Sequence, residues 1–168
     1  MNRIRNKEYE IRPADPNQDL DWAYAIFKQA IRPFIEKMIG NWPEEVEHTF
    51  FSSGFHSMPM KVVMHKGNRI GCFAIIEEEQ RVTVQRMYMD PLWQGTGIGS
   101  WVIDEALKIA HTARKPLITE VLANNEPAIE FYLRKGFKKI REQPDDPIIQ
   151  LVIMHGDTEP YCSPEIEH

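Results

Sequence analysis

Three glycines stand at alternate positions in "WQGTGIGS", residues 93 to 100, between a stretch that reads as a strand and one that reads as a helix. Bare backbone at the mouth of a helix suits a bulky anion. The unpaired N–H groups of the first turn and the positive end of the helix dipole attract it, and the missing side chains let it come close. Two common nucleotide-binding patterns fit poorly. A P-loop needs Gly-Lys-Ser or Gly-Lys-Thr at the end of its glycine run, and no lysine occurs from Met89 to Leu107. The dinucleotide pattern G-x-G-x-x-G matches Gly95 and Gly97 but has Ser100 where a third glycine would let the helix pack closely. Hairpin-like strands also precede the segment, where a first parallel strand would be expected. An ordinary glycine-rich strand-to-helix connection is the plain structural reading.

Taking Gln94 as part of the pattern gives Q-x-x-G-x-G over Gln94, Gly95, Thr96, Gly97, Ile98 and Gly99. A second segment, "NEPAIEFYLRKGF" from Asn125 to Phe137, has an asparagine, an alanine three residues on, Phe-Tyr and a closing Gly-Phe. Together the two resemble the paired signatures of the Gcn5-related N-acetyltransferase (GNAT) superfamily, and the resemblance covers the chain from about Tyr9 to His155. It implies acetyl-CoA as cosubstrate, held between two splayed strands that map onto "VTVQRMYMD" and "PLITEVLAN". Main-chain groups near Met87, Tyr88 and Met89 would meet the thioester and pantetheine arm, and the loop from Gln94 to Ser100 would take the diphosphate. Asn125 would bond the pantetheine amides, and Tyr132 would protonate the departing thiolate. The reaction implied is direct transfer of the acetyl group to a primary amine in a ternary complex.

Each of these residues also has a plainer role. Asn125 can cap the helix that follows, with Pro127 inside its first turn. Met87 and Met89 can be core. Phe131 and Tyr132 are adjacent on a helix and point to different faces, so one must be core, and Phe131 is assigned to it. Arg134, Lys135, Lys138, Lys139 and Arg141 read as a solvated helix end, with contact to the nucleotide end of CoA as the alternative. The strand over residues 82 to 90 offers Thr83, Gln85 and Arg86, none of them a good base near neutral pH. Glu36, Glu44, His48, His56 and Glu120 are the candidates to replace one. The missing strand carboxylate keeps open a different class of function, a non-catalytic acyl-CoA-binding or sensor protein.

These residues must be positioned by a fold, and the chain reads as one mixed α/β domain. Its central sheet is expected to be mostly antiparallel and flanked by helices, over residues 1–155, with an acidic tail, 156–168, expected to fray. "EYEIRPAD" reads as a first strand. A helix capped by Asp19 or Asp21 follows and is kinked or broken at Pro33, and "PFIEKMIG" then ends on Gly40. "NWPEEVEHTFF" reads as helix with Asn41 as its cap, and "SSGFHSMP" as loop. Three strands, the long helix after the glycines, a buried strand, a short helix and a terminal strand pair give the order β-α-α-β-β-β-α-β-α-β-β. The formal net charge of −5 argues against nucleic acid as a partner and is compatible with a cationic one. Two cysteines, Cys72 and Cys162, lie outside any disulfide or zinc spacing, and the six histidines form no metal-ligand pattern, so no metal is expected. No apolar leader and no membrane-length apolar run are evident, so a cytoplasmic protein away from membranes is expected. An edge strand near the C-terminus would permit a homodimer. The expected acceptor is a small-molecule or peptide amine.

Overall fold

The computed structural model describes residues 9–141 and 145–154. The expected acidic tail and Cys162 lie outside the described residues, as does the side chain of Arg141. In chain order the elements are β1 (Tyr9–Pro13), α1 (Pro16–Ile39), α2 (Glu44–Ser57), β2 (Met60–His65), β3 (Asn68–Glu77) and β4 (Val82–Met89). After a single 3-10 turn at Pro91–Trp93 come α3 (Ile98–Ala113), β5 (Leu117–Leu122), α4 (Glu126–Arg134), β6 (Lys138–Arg141) and β7 (Ile148–Ile153). Seven strands form one sheet in the order β1-β2-β3-β4-β5-β7-β6. Every pairing is antiparallel except β4 with β5.

Strand alternation divides the core. Cys72 and Ala74 of β3 belong to one apolar cluster with Ala23, Phe27, Phe51 and Phe55 of α1 and α2. Phe73 between them belongs to another, with Val102, Ile103 and Ala106 of α3 and Ile129 and Tyr132 of α4. Successive side chains of a strand point to opposite faces, so each face of the sheet carries its own helical layer. α3 supplies its layer through buried residues at positions 98, 102, 103, 106 and 110, a helical stripe. It ends where Arg114 turns left-handed ahead of Pro116.

The N-terminal half departs from the reading above in three ways. The cap of α1 is Asp15, whose side chain accepts from Asn17 N, and neither Asp19 nor Asp21 caps it. Asp19 is instead a buried carboxylate held by Arg12 at 2.7 and 2.8 Å, by Arg69 at 3.3 Å and by the amide of Asp15 at 2.8 Å. Pro33 does not end the helix, which runs on to Ile39 and stops on a left-handed Gly40. Proline's fixed φ is helical, and its missing N–H removes only the partner of the Gln29 carbonyl. Finally, α2 starts later and ends later than expected. Asn41 is no cap, Pro43 holds that position without a side-chain bond, and "SSGFHS" continues the helix to Ser57. Burial of Phe51, Gly54 and Phe55 outweighs the loop-like composition.

Candidate active site

Pairing of β4 with β5 begins at Val82 and Leu117 and stops at Val84 and Thr119, although β4 continues to Met89. From Gln85 to Met89 its main chain therefore has a strand on the β3 side only. A bulge marks the change: Cys72 faces Tyr88 while Ala74 faces Gln85, so Arg86 and Met87 together oppose Phe73. Arg86 takes a left-handed φ of 52° to make it. The resulting gap is the opening that two splayed strands were expected to leave.

The glycine loop closes one end of this gap. Gly95 and Gly97 have φ of 75° and 93°, values that L side chains rarely adopt. Gly99 is under no such backbone demand, and a Cβ there would stand 3.4 Å from the Phe131 ring. Trp93 anchors the loop by packing on Tyr9 and His65, and the Thr96 hydroxyl donates to Trp93 O at 2.6 Å. The first helical bond of α3 runs from Trp101 N to Gly97 O, and no side chain caps the helix. The amides of Ile98, Gly99 and Ser100 are thus free of helical partners and face a positive dipole end.

A cleft of about 840 Å³ lies against the loop. Met87, Tyr88 and Met89 line it from β4, and Gln94, Gly95, Gly97, Ile98, Gly99 and Ser100 line it from the loop and α3. Asn125 lines it from the start of α4, so the structure brings ten of the expected residues together. Thr96 turns away into its bond with Trp93. Tyr132 lies on a second cavity of about 1200 Å³, and the two share Ile31, Met87, Tyr88, Asn125 and Ala128 as a common wall. Asn125 also caps α4, its Oδ1 accepting from Ala128 N at 3.3 Å, a bond that does not use its side-chain N–H groups.

The assignment of Phe131 to the core and Tyr132 to the site is half corrected. Tyr132 is the more buried, packed with Ile129 one turn earlier, and Phe131 is only partly buried against α3. Burial raises the Tyr132 phenol above its ordinary range, opposed by a hydrogen bond with Thr119, whose own hydroxyl donates to Val84 O at 3.1 Å. Of the basic run, Arg134 and Lys135 line the smaller cleft, which departs from a purely solvated helix end. Lys135 is also bonded to Asp104 at 2.7 Å.

Most of the candidate bases are occupied or turned away. Glu36 pairs with Arg32, Glu44 accepts from Tyr24 and Trp42, and His56 bonds Ser52 O. His48 packs edge-on against Tyr24. Glu120 does line the larger cavity but accepts from Gln150 at 2.8 Å. The carboxylate that sequence reasoning missed is Glu47, on the same cavity and partly buried, where burial pushes it above the usual carboxylate range. Its signal was its place one turn before Phe51, on the face α2 buries. Arg86 faces the same cavity, donating to Phe50 O and Phe51 O at 3.1 and 3.2 Å and lying over both rings. Gly54 makes room for it, since a Cβ there would stand 2.1 Å from Arg86 Nη2. Cys72 is fully buried and its thiol is pushed up to about 12 by that burial, which removes it as a nucleophile. Among the described residues no group of three or more His, Cys, Asp or Glu could hold a metal, and no helix is long and apolar enough to cross a membrane.

A splayed parallel pair beside an uncapped, glycine-led helix is the arrangement the resemblance implied, and the comparisons supply the class. The profile of the acetyltransferase (GNAT) domain family matches residues 50–139, and the chain belongs to that family. No curated protein sequence matches it. Among solved structures it is similar to the PaiA N-acetyltransferase of Thermoplasma acidophilum in complex with coenzyme A, with 18% identity over 88% of this chain and 99% of that one, at a TM-score of 0.65. An acetyltransferase from Streptococcus agalactiae gives 11% identity, 89% and 99% coverage and a TM-score of 0.62. The ribosomal-protein-S18-alanine N-acetyltransferase of Escherichia coli gives 21%, 92% and 99%, and 0.59. At these identities the likeness is one of fold: a mixed α/β sheet, mostly antiparallel, flanked by helices.

Proposed function

We propose that the protein transfers the acetyl group of acetyl-CoA to a primary amine by direct attack in a ternary complex. The observation that carries this reading is the join between the two cavities at Met87, Tyr88 and Asn125, where a cosubstrate in one would meet an acceptor in the other. The residues fit acetyl-CoA on this structure's own terms. Uncapped amides of Ile98, Gly99 and Ser100 suit a diphosphate, and a strand with one free edge suits a ligand that is a chain of amides. Acetyl-CoA supplies a carbonyl carbon already activated as a thioester. A main-chain N–H near Met89 polarises that carbonyl, and Asn125 holds the arm with its free amide hydrogens. The acceptor gives its ammonium proton to solvent and attacks as the neutral amine, the C–N bond forms as the C–S bond breaks, the proton the nitrogen then sheds ends on the CoA sulfur through solvent, and Tyr132 hydrogen-bonds that sulfur as it departs. Nothing in this scheme uses a covalent enzyme intermediate or a metal.

The protein acts in the cytoplasm on a small-molecule or peptide amine, without nucleic acid or membrane as partner, and pairing through an edge strand would make it a homodimer. The test is release of free CoA thiol from acetyl-CoA on addition of a mixed panel of amines. Turnover with any of them supports the reading. Saturable acetyl-CoA binding with no turnover on any amine favours instead a non-catalytic acyl-CoA sensor, the reading that the lack of a carboxylate on β4 supports.

A further inference from the structure

The larger cavity says what kind of amine it suits, an inference that rests on the acetyl-transfer reading. Its wall is mostly apolar. Ile31 and Ile35 line it from one face of α1, and Val46 and Phe50 from one face of α2. Val46 and Phe50 are 66% and 63% exposed, large apolar side chains one turn apart, and the Arg86 guanidinium over the Phe50 ring covers only part of that surface. Apolar surface left open along a cavity favours a ligand body that removes it from water.

Charge narrows the choice further. Among the described residues the cation lining this cavity is Arg86, and its guanidinium is already engaged by two carbonyls and two rings. Facing it are Glu45, Glu47 and Glu120, of which Glu120 is bonded to Gln150. The Glu47 carboxylate makes no hydrogen bond or ion pair with another described residue. Tyr88, which lines the same cavity, also lines the cosubstrate cleft. An acceptor carrying a carboxylate or phosphate would meet repulsion here without a free cation to answer it.

We propose that the acceptor is a hydrophobic monoamine, its alkyl or arylalkyl body lying along Ile31, Ile35, Val46 and Phe50 and its ammonium turned to Glu47. The rival occupants of an acid-bearing cavity are a polyamine, with a second ammonium for Glu45 or Glu120, and an amino sugar. Both would leave the apolar faces uncovered or set hydroxyls against them.

The experiment measures kcat/KM by thiol release at saturating acetyl-CoA for ethylamine, n-butylamine, n-hexylamine, 2-phenylethylamine, spermidine and glucosamine. The full chain is used throughout. Each added methylene is expected to raise kcat/KM about three- to fourfold, the burial value of one CH₂. Hexylamine and phenylethylamine should exceed spermidine and glucosamine by about tenfold or more. Val46→Ser, at an exposed position, should lower kcat/KM for hexylamine severalfold more than for ethylamine, so that the chain-length response flattens. Glu47→Gln should raise KM for every amine about tenfold without altering the thermal shift given by acetyl-CoA. A flat response to chain length, or spermidine or glucosamine as the best acceptor, would overturn the proposal. So would a dimer in light scattering that Val46→Ser converts to monomer, because the face would then belong to a second copy. Failure of the acetyl-transfer reading has its own signature, acetyl-CoA binding with no thiol release from any amine, and it would remove this inference as well.

Discussion

A phenol as buried as that of Tyr132 stays protonated at neutral pH, because the phenolate would lose more hydration than the neutral ring. That limits what it can do for a leaving thiolate. Free tyrosine has a pKa of ~10 and a thiol ~8.5, so complete proton transfer is uphill by roughly 2 kcal/mol before burial adds to the gap. Under the proposed acetyl transfer Tyr132 would therefore act chiefly by hydrogen-bonding charge that appears on sulfur only as the C–S bond breaks, an interaction made in the transition state. Tyr132→Phe is expected to lower kcat about 10²-fold with little change in acetyl-CoA affinity. Because Tyr132 is also core, melting temperature must be followed in parallel, and the ring retained in phenylalanine should keep it near wild type. Wild-type turnover with chemistry shown to be rate-limiting would reduce Tyr132 to packing. The motif pointed to Tyr132 but not to its depth. Sequence gives the 100° between Phe131 and Tyr132, whereas which of them meets the sheet depends on how α4 docks. Glu47 escaped notice for a related reason: it is one of three glutamates at the start of α2, and only the helix's rotation shows that Glu45 and Glu47 line the cavity while Glu44 does not.

At the scale of elements, the junction of β4, the glycine loop and α3 carries the proposed cosubstrate site, and its order along the chain was legible from two short motifs. What was not legible is the bulge at Arg86, since nothing in "VTVQRMYMD" breaks the strand pattern and the left-handed φ there accompanies side-chain contacts with α2 that lie far off in sequence. The same holds for α1 through Pro33 and α2 through Ser57, where packing against the sheet overrides local breakers. Gly97 offers the sharpest test of the loop. Its φ of 93° means that any side chain adds strain of about 1–2 kcal/mol, and under the proposed function a methyl there would also hinder the approach of main chain to a diphosphate. Gly97→Ala is expected to lower the melting temperature by a few degrees and to weaken acetyl-CoA binding at least about tenfold, read as loss of the ligand-induced thermal shift. An unchanged shift in the folded variant would remove the diphosphate from this loop.

The whole molecule is a sheet with a helical layer on each face, and its N-terminal edge is tied down by one buried carboxylate. Asp19 joins α1 to Arg12 of β1 and Arg69 of β3, so a single side chain with 0% exposure links three elements. Its bonds, that from Arg12 foremost, hold its carboxyl at about 2 against an ordinary 3.8. A folded-state pKa depressed in this way contributes stability that is fully present above the unfolded value and is lost as pH falls through the folded one. The window is therefore about pH 4 down to 2, and the size is about 2 kcal/mol at neutral pH from the shift alone. Asp19→Asn removes the charge and leaves two arginines without their partner. It should melt about 4–8 °C below wild type at pH 7, by the usual relation between free energy and melting temperature for a chain of this size. The gap should hold down to pH 5 and narrow through pH 4 and 3, as wild type itself loses the charged interaction. Melting curves of both proteins across that range check this, and a gap of the same size at pH 3 as at pH 7 would show that shape rather than charge makes Asp19 hold the edge.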